Sequence, residues 1–227
     1  MQRWDCLDRA PVHEGDDVLE LWQRGNEFSI RLQRGGELMN SRAFGSEREL
    51  ARLGLQPLAD RPAARVLVGG LGLGHTLAAA LAALGPDARV HVAELSAAVV
   101  AWNRGPLGPL AGAPLLDERA SVETIDVGAC LRAAAGVWDA VLLDVDNGPD
   151  GLTRAGNDAL YSAEGLQRAW RALRPGGVLA VWSAHPSPAF RKRMERAGFA
   201  VQEHVARARG GGTGARHRIW VGRRSNG

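Results

Sequence analysis

The sequence predicts an α/β protein: a doubly wound, mostly parallel sheet with helices on both faces, carrying a small β-rich appendage at its N-terminus. Three observations carry that prediction. From residue 65 onward, short apolar runs alternate with segments of helical spacing through five β-α units. The first sixty residues instead alternate apolar and polar positions between glycine turns. The first apolar run of the main part ends in GGLGLG, a turn that brings backbone close to a ligand and opens a helix whose free N–H groups face it.

In the appendage, residues 18–23 (VLELWQ) and 28–33 (FSIRLQ) read as antiparallel strands around the turn Arg24-Gly25-Asn26, and Gly35-Gly36 leads into a third short strand at 37–40. Residues 46–55 have helical spacing, with Leu50 and Leu53 on one face and Glu47 and Glu49 in the first turn. About 40 residues cannot keep a core of their own, so the hairpins should pack on the main domain or on a second subunit. The expected division is therefore residues 1–60 for the appendage and 61–227 for the main domain. There the strands fall at 66–70, 89–95, 120–126, 139–145 and 177–183, and the helices at 76–84, 97–103, 127–135, 163–173 and 188–197. Residues 201–208 and 217–224, separated by GGGTG, read as an antiparallel pair closing one edge of the sheet.

Composition narrows the partners. The 227 residues suit one sizeable core, and 28 basic against 25 acidic residues leave a net charge of only +3. The C-terminal arginines are scattered without interleaved aromatics, which describes solvated faces rather than a nucleic-acid site. Cys6 and Cys130 lie far apart and lack the short Cys or His spacing of a zinc site, so no metal is expected from them. Residues 1–20 are rich in charge and contain no apolar leader core, and no apolar run reaches membrane length; the expected location is the cytoplasm, away from membranes.

Ligands of open α/β sheets sit at the carboxyl ends of the strands, so the residues there are the ones to read. Gly70, Gly72 and Gly74 form the turn after the first strand; alone, such a turn is also compatible with tight packing. Glu94 ends the second strand, twenty-four residues after Gly70, where an acid can accept hydrogen bonds from the two hydroxyls of a ribose. Asp126 ends the third strand, placed for an exocyclic amine such as adenine N6 or, equally, for capping the next helix. Asp144 and Asp146 leave the fourth strand for a Gly/Pro loop, a poor choice for packing alone. Acids without a phosphate-binding partner suit a cationic sulfonium nucleoside and would repel a pyrophosphate, and the turn lacks the GxGxxG pattern of dinucleotide folds.

Taken in order, GGLGLG, VAELSAAVVAWN, TIDVGACL, WDAVLLDVDNGPDG and LRPGGVLAVWS resemble the class I S-adenosylmethionine-dependent transferases, specifically their spermidine synthase-like (aminopropyltransferase-like) branch. The resemblance spans roughly residues 15 to 205. It implies the Rossmann-like class I methyltransferase fold, with S-adenosylmethionine or its decarboxylated form as cofactor, a small-molecule acceptor, and hairpins that often join two subunits into a homodimer. By the family pattern Gly70, Gly72 and Gly74 line the methionine part, Glu94 binds the ribose, Asp126 holds the adenine amine, and Asp144 stands beside the sulfonium and the nucleophile.

Departures from the family are concentrated where polyamine would be read. The family's GGGDGG acid falls at Leu71 or Gly72, its second loop acid at Asp146 or Asn147, its cofactor-binding Gln at Leu38, and its Tyr-His-Glu-like motif at Glu47-Arg48-Glu49. A turn with N–H groups and no acid suits the carboxylate of intact S-adenosylmethionine better than a bare ammonium arm. Methyl transfer to an amine or hydroxyl is therefore the leading expectation. Aminopropyl transfer and a non-catalytic nucleoside-binding relative remain open. Lesser candidates are a magnesium-like ion on Asp144, Asp146 and Asn147, Tyr161 as a packing residue beside the cap Ser162, a solvated His185, His75 packed on the cofactor, and Trp102, Trp182 and Trp220 in the core.

Overall fold

The computed structural model describes residues 3–13, 15–145, 149, 159–209 and 213–225. The appendage is a four-stranded antiparallel sheet in the order β1-β2-β3-β4: β1 (Asp5–Pro11), β2 (Val18–Arg24), β3 (Glu27–Leu32) and β4 (Gly36–Asn40). Strand β1 was not expected from the sequence. Its DCLDRAP leaves nearly every side chain in solvent, so it carries no apolar alternation and is held by pairing with β2. On the other face, Leu19, Leu21, Phe28 and Ile30 are buried and join the same apolar core as Val66 and Val68. The hairpins thus complete the core of the main domain.

Helix α1 (Gly45–Leu55) follows β4 and lies on the main sheet, with Leu50, Ala51 and Leu55 buried. Its Gly54 lets the backbone approach so closely that a Cβ there would meet Leu142 Cδ2 at 2.5 Å and the Ala180 Cβ at 2.8 Å.

The main sheet runs in the order β10-β11-β9-β8-β5-β6-β7. Strands β5 (Arg65–Gly69), β6 (Arg89–Glu94), β7 (Ala120–Thr124), β8 (Trp138–Leu143) and β9 (Leu173–Ser183) are parallel; β10 (Phe199–Arg209) and β11 (Thr213–Arg224) form the expected antiparallel edge. Helices α2 (His75–Ala83), α3 (Ala97–Arg104), α4 (Val127–Ala133), α5 (Ala163–Ala172) and α6 (Pro188–Arg196) alternate with them. Successive residues of the central strands point to opposite faces, so Val66, Val68 and Leu142 enter one core while Leu67, Val141 and Leu143 enter the other. Both faces are covered, which is why these strands read as continuous apolar runs.

Polar side chains fix the joints. Ser96, Asp126, Ser162 and Ser187 accept the backbone N–H three residues on and cap α3, α4, α5 and α6. Asp139 is fully buried at the base of β8 and is satisfied from three sides, by Arg61, Arg174 and the Arg65 N–H. Among the described residues, no helix is long and apolar enough to cross a membrane.

Chain order sets where the site must be. From β5 the chain moves outward through β6 and β7, then returns to lay β8 and β9 on the other side of β5. The strand order reverses between β5 and β8, and the crevice beyond their carboxyl ends lies between the Gly70 turn and Asp144, whose N–H donates to the Gly69 carbonyl at 2.9 Å.

Candidate functional site

Two clefts meet at this crevice. The first runs over the ends of β5, β6 and β8 and is lined by Gly70, Gly72, Glu94, Ser96, Asp126 and Asp144, roofed by Leu38 and Met39 of the appendage. The second lies between α1, β4 and the end of β9, against Glu47, His75, Trp182 and His217. Their cavity volumes are about 100 Å³ and 240 Å³. Leu38, Met39, Gly72 and Asp144 belong to both. Asp144 is therefore in the wall common to both clefts.

The glycine turn is built for close approach. Gly70, Gly72 and Gly74 all have positive φ, of 88°, 51° and 82°. A Cβ on Gly70 would strike the carbonyl of Asp144, and one on Gly72 would come within 3.2 Å of the Met39 sulfur. Gly74 lines neither cleft; it precedes α2 and faces Asn103 and Pro114. Asn103, unnoticed in the sequence, steadies the turn by donating from Nδ2 to the Gly72 carbonyl at 2.8 Å.

Leu71, which stands near the family's acid, is 3 % exposed and packed into the core. Its N–H is not free for a ligand, contrary to the expectation that the whole turn offers donors. It donates to Glu94 Oε2 at 2.8 Å, while the Ser96 N–H donates to Glu94 Oε1 at 2.8 Å. Glu94 thus holds the turn after β5 against its own strand end while its carboxylate lines the first cleft. Asp126 takes the capping role that its position allowed, Oδ1 accepting the Ala129 N–H at 2.8 Å at the start of α4, and the residue also lines the first cleft. Asp146, and with it Asn147 of the loop, lies outside the described residues. Among those described, no group of three His, Cys, Asp or Glu is arranged to hold a metal ion.

The electrostatics centre on two carboxyls. The hydroxyl of Thr76, in the first turn of α2, donates to Asp144 Oδ2 at 2.5 Å. Burial pushes Asp144 up to about 6 against that hydrogen bond. Glu47, in the first turn of α1, is pushed up to about 8, first by burial and then by the charge of Asp144. Ser46 Oγ donates to Glu47 Oε2 at 2.8 Å and is itself 2.9 Å from His217 Nδ1. Glu49, two residues on, instead pairs with Arg52.

A pH dependence follows. Between its ordinary value of 4.5 and about 8, Glu47 keeps a proton in the folded chain that the unfolded chain has lost, so stability falls as pH rises through that window. Glu47→Gln keeps the shape and cannot ionise. Thermal melts should show wild type losing at least about 3 °C more than the variant across this range. Parallel curves would show that Glu47 is solvated.

Several other sequence readings change. His75 does not line the first cleft; it stacks on Phe44 at 4.7 Å between ring centroids and lines the second cleft. Trp220 is fully buried, as expected, but Trp182 is only half-buried and forms part of the second cleft's wall. Trp102 packs as expected, its indole donating to Asp8 at 2.7 Å. Tyr161 is buried edge-on to Phe190, and His185 is exposed.

No protein-family model matches the chain, and no curated protein matches it in sequence. Solved structures do. A spermidine synthase in complex with the transition state analogue AdoDATO is 15% identical, over 98% of this chain and 72% of that one, with a TM-score of 0.72. Spermidine synthase from Thermotoga maritima is 16% identical over 98% and 73%, with a TM-score of 0.73. TrmN from Thermus thermophilus is 26% identical over 87% of this chain and 56% of that one, with a TM-score of 0.54. The chain therefore has the Rossmann-like class I methyltransferase fold. Within that class its likeness is to the spermidine synthases, and at 98% coverage the N-terminal sheet is part of it.

Proposed function

We propose that this chain is a group-transfer enzyme. It binds an S-adenosylmethionine-type sulfonium nucleoside in the first cleft and passes a group to an amine or hydroxyl of a small molecule in the second, with methyl transfer as the leading reaction. The position of Asp144 in the wall common to both clefts carries this reading.

The residues present fit such a cofactor. Glu94 accepts the Leu71 and Ser96 N–H groups and lines the first cleft, where a ribose hydroxyl would meet its carboxylate. Asp126 stands at the outer end of the cleft, where an adenine amine would reach it. Gly70 and Gly72 leave room that any Cβ would fill. Among the described residues the first cleft is lined by three acids and no Lys or Arg, a charge balance for a cation and against a pyrophosphate. When bound, the cofactor supplies an electrophilic carbon on its positive sulfur. Asp144 orients the acceptor and takes its proton, while Thr76 fixes the carboxylate's rotamer. Asp146 is the second candidate for that proton.

The turn favours the intact cofactor, since Leu71 is buried in the core and Gly72 brings no carboxylate to meet an ammonium arm. Aminopropyl transfer is the second reading. It is favoured by the acidic wall of the second cleft, where Glu37 and Glu47 accompany Asp144. Calorimetric titration with S-adenosylmethionine, its decarboxylated form and methylthioadenosine separates these. Methyl transfer predicts tighter binding of the intact form; a decarboxylated form bound at least tenfold more tightly overturns it, and binding of none of the three overturns the enzyme reading.

A further inference from the structure

The second cleft contains more hydrogen-bonding capacity than a simple amine would use. Both ring nitrogens of His75 and the indole Nε1 of Trp182 are buried without a hydrogen-bond partner, and both residues line this cleft. His75 is 4 % exposed and held flat against Phe44, whose ring also carries the Arg48 guanidinium at 4.3 Å. Burial, and then the Arg48 charge, push the imidazole down to about 4, so at neutral pH it presents one N–H donor and one bare nitrogen acceptor. Trp182 is braced edge to face on His217, with 4.7 Å between ring centroids, and can only donate. Buried polar groups in native proteins are paired, and a ligand in the second cleft is one partner within reach of these.

The acids decide the rest. Asp144 on this cleft gives an ammonium its place and would repel a carboxylate or phosphate, while Glu47 beside it is a neutral carboxyl below about pH 8. The donors of His75 and Trp182 call for a neutral oxygen, and the bare nitrogen of His75 calls for a hydroxyl or amide hydrogen. A bare polymethylene diamine has ammonium ends and methylenes, so it offers nothing to the Trp182 N–H. Resting on the reading of this cleft as the acceptor site, we infer that the acceptor is an amine bearing a hydroxyl or carbonyl oxygen, read by His75 and Trp182, and not a bare polymethylene diamine.

The test uses amines matched in shape, titrated calorimetrically into the full chain saturated with methylthioadenosine: ethanolamine against propylamine, tyramine against phenethylamine, and putrescine as the unsubstituted diamine. In at least one pair the oxygenated member should bind fivefold or more tightly than its match, and more tightly than putrescine. His75→Phe, which keeps the stack on Phe44 and removes both nitrogens, should bring that pair below a twofold difference; Trp182→Phe provides the same comparison should the first variant fail to fold. Pairs that all differ by less than fivefold, putrescine as the tightest ligand, or a preference surviving in the folded variant would overturn the inference. Methylthioadenosine binding with no discrimination among amines would sink this inference alone. Loss of the nucleoside's own binding would instead sink the enzyme reading on which it stands.

Discussion

Asp144→Asn is expected to lower turnover by about a thousandfold while methylthioadenosine affinity stays within about tenfold. Asparagine has nearly the same volume, and its carbonyl oxygen can still accept from Thr76, so the wall between the clefts keeps its shape. What is lost is the group that takes a proton from the acceptor and the negative charge beside the sulfonium. Because the acceptor attacks only with a free lone pair, which an ammonium gains by giving that proton to Asp144, the loss falls on the reacting complex and shows in kcat more than in binding. Single-turnover consumption of S-adenosylmethionine, with the tightest amine of the matched pairs as acceptor, gives the rate. Calorimetry gives the affinity. Unchanged turnover would remove Asp144 from the chemistry and leave Asp146 to carry it.

Glu94→Ala should weaken methylthioadenosine binding by roughly a hundredfold or more, since two hydrogen bonds from a ribose to a charged carboxylate contribute about 1.5–3 kcal/mol each. The carboxylate also accepts the Leu71 and Ser96 N–H groups, so its removal loosens the glycine turn and the entry to α3 together. Glu94→Gln distinguishes the two effects. It keeps one oxygen for the Leu71 N–H, so most of the thermal stability should return while affinity recovers only in part. Affinity that follows stability in both variants would mean that Glu94 only supports the turn.

The doubly wound domain was legible because its central strands β5, β8 and β9 are buried on both faces and read as apolar runs, and because β5, β6 and β8 lead into a marked residue: glycine, Glu94 or Asp144. The antiparallel edge was equally clear from its two runs around a glycine loop. Strand β1 was hidden because an edge strand with exposed side chains has no pattern, only backbone pairing. The grouping of Glu94, Asp126 and Asp144 on the first cleft was readable for a related reason: these acids stand at strand ends, where chain order alone brings them together.

The second cleft was not readable, because it is assembled from residues far apart in the chain. Ser46 and His217 are 171 residues apart in the chain, yet Oγ and Nδ1 stand 2.9 Å from each other. Glu47 looked like an ordinary helix acid, which Glu49 is; only the arrival of α1 over the main sheet buries it beside Asp144. Alignment with the spermidine synthase-like pattern did point to Glu47, but as one member of a rewritten motif. Leu71 was legible as a departure and not as what it is, a core side chain whose backbone N–H ties the turn to Glu94.

The shared wall is reached most directly by a crystal structure of the protein with methylthioadenosine bound. The expected result places the ribose hydroxyls within hydrogen-bond reach of Glu94, the adenine amine toward Asp126, and the sulfur facing Asp144 at the opening to the second cleft. A nucleoside bound elsewhere, or seated in the first cleft with its sulfur turned away from Asp144, would contradict it.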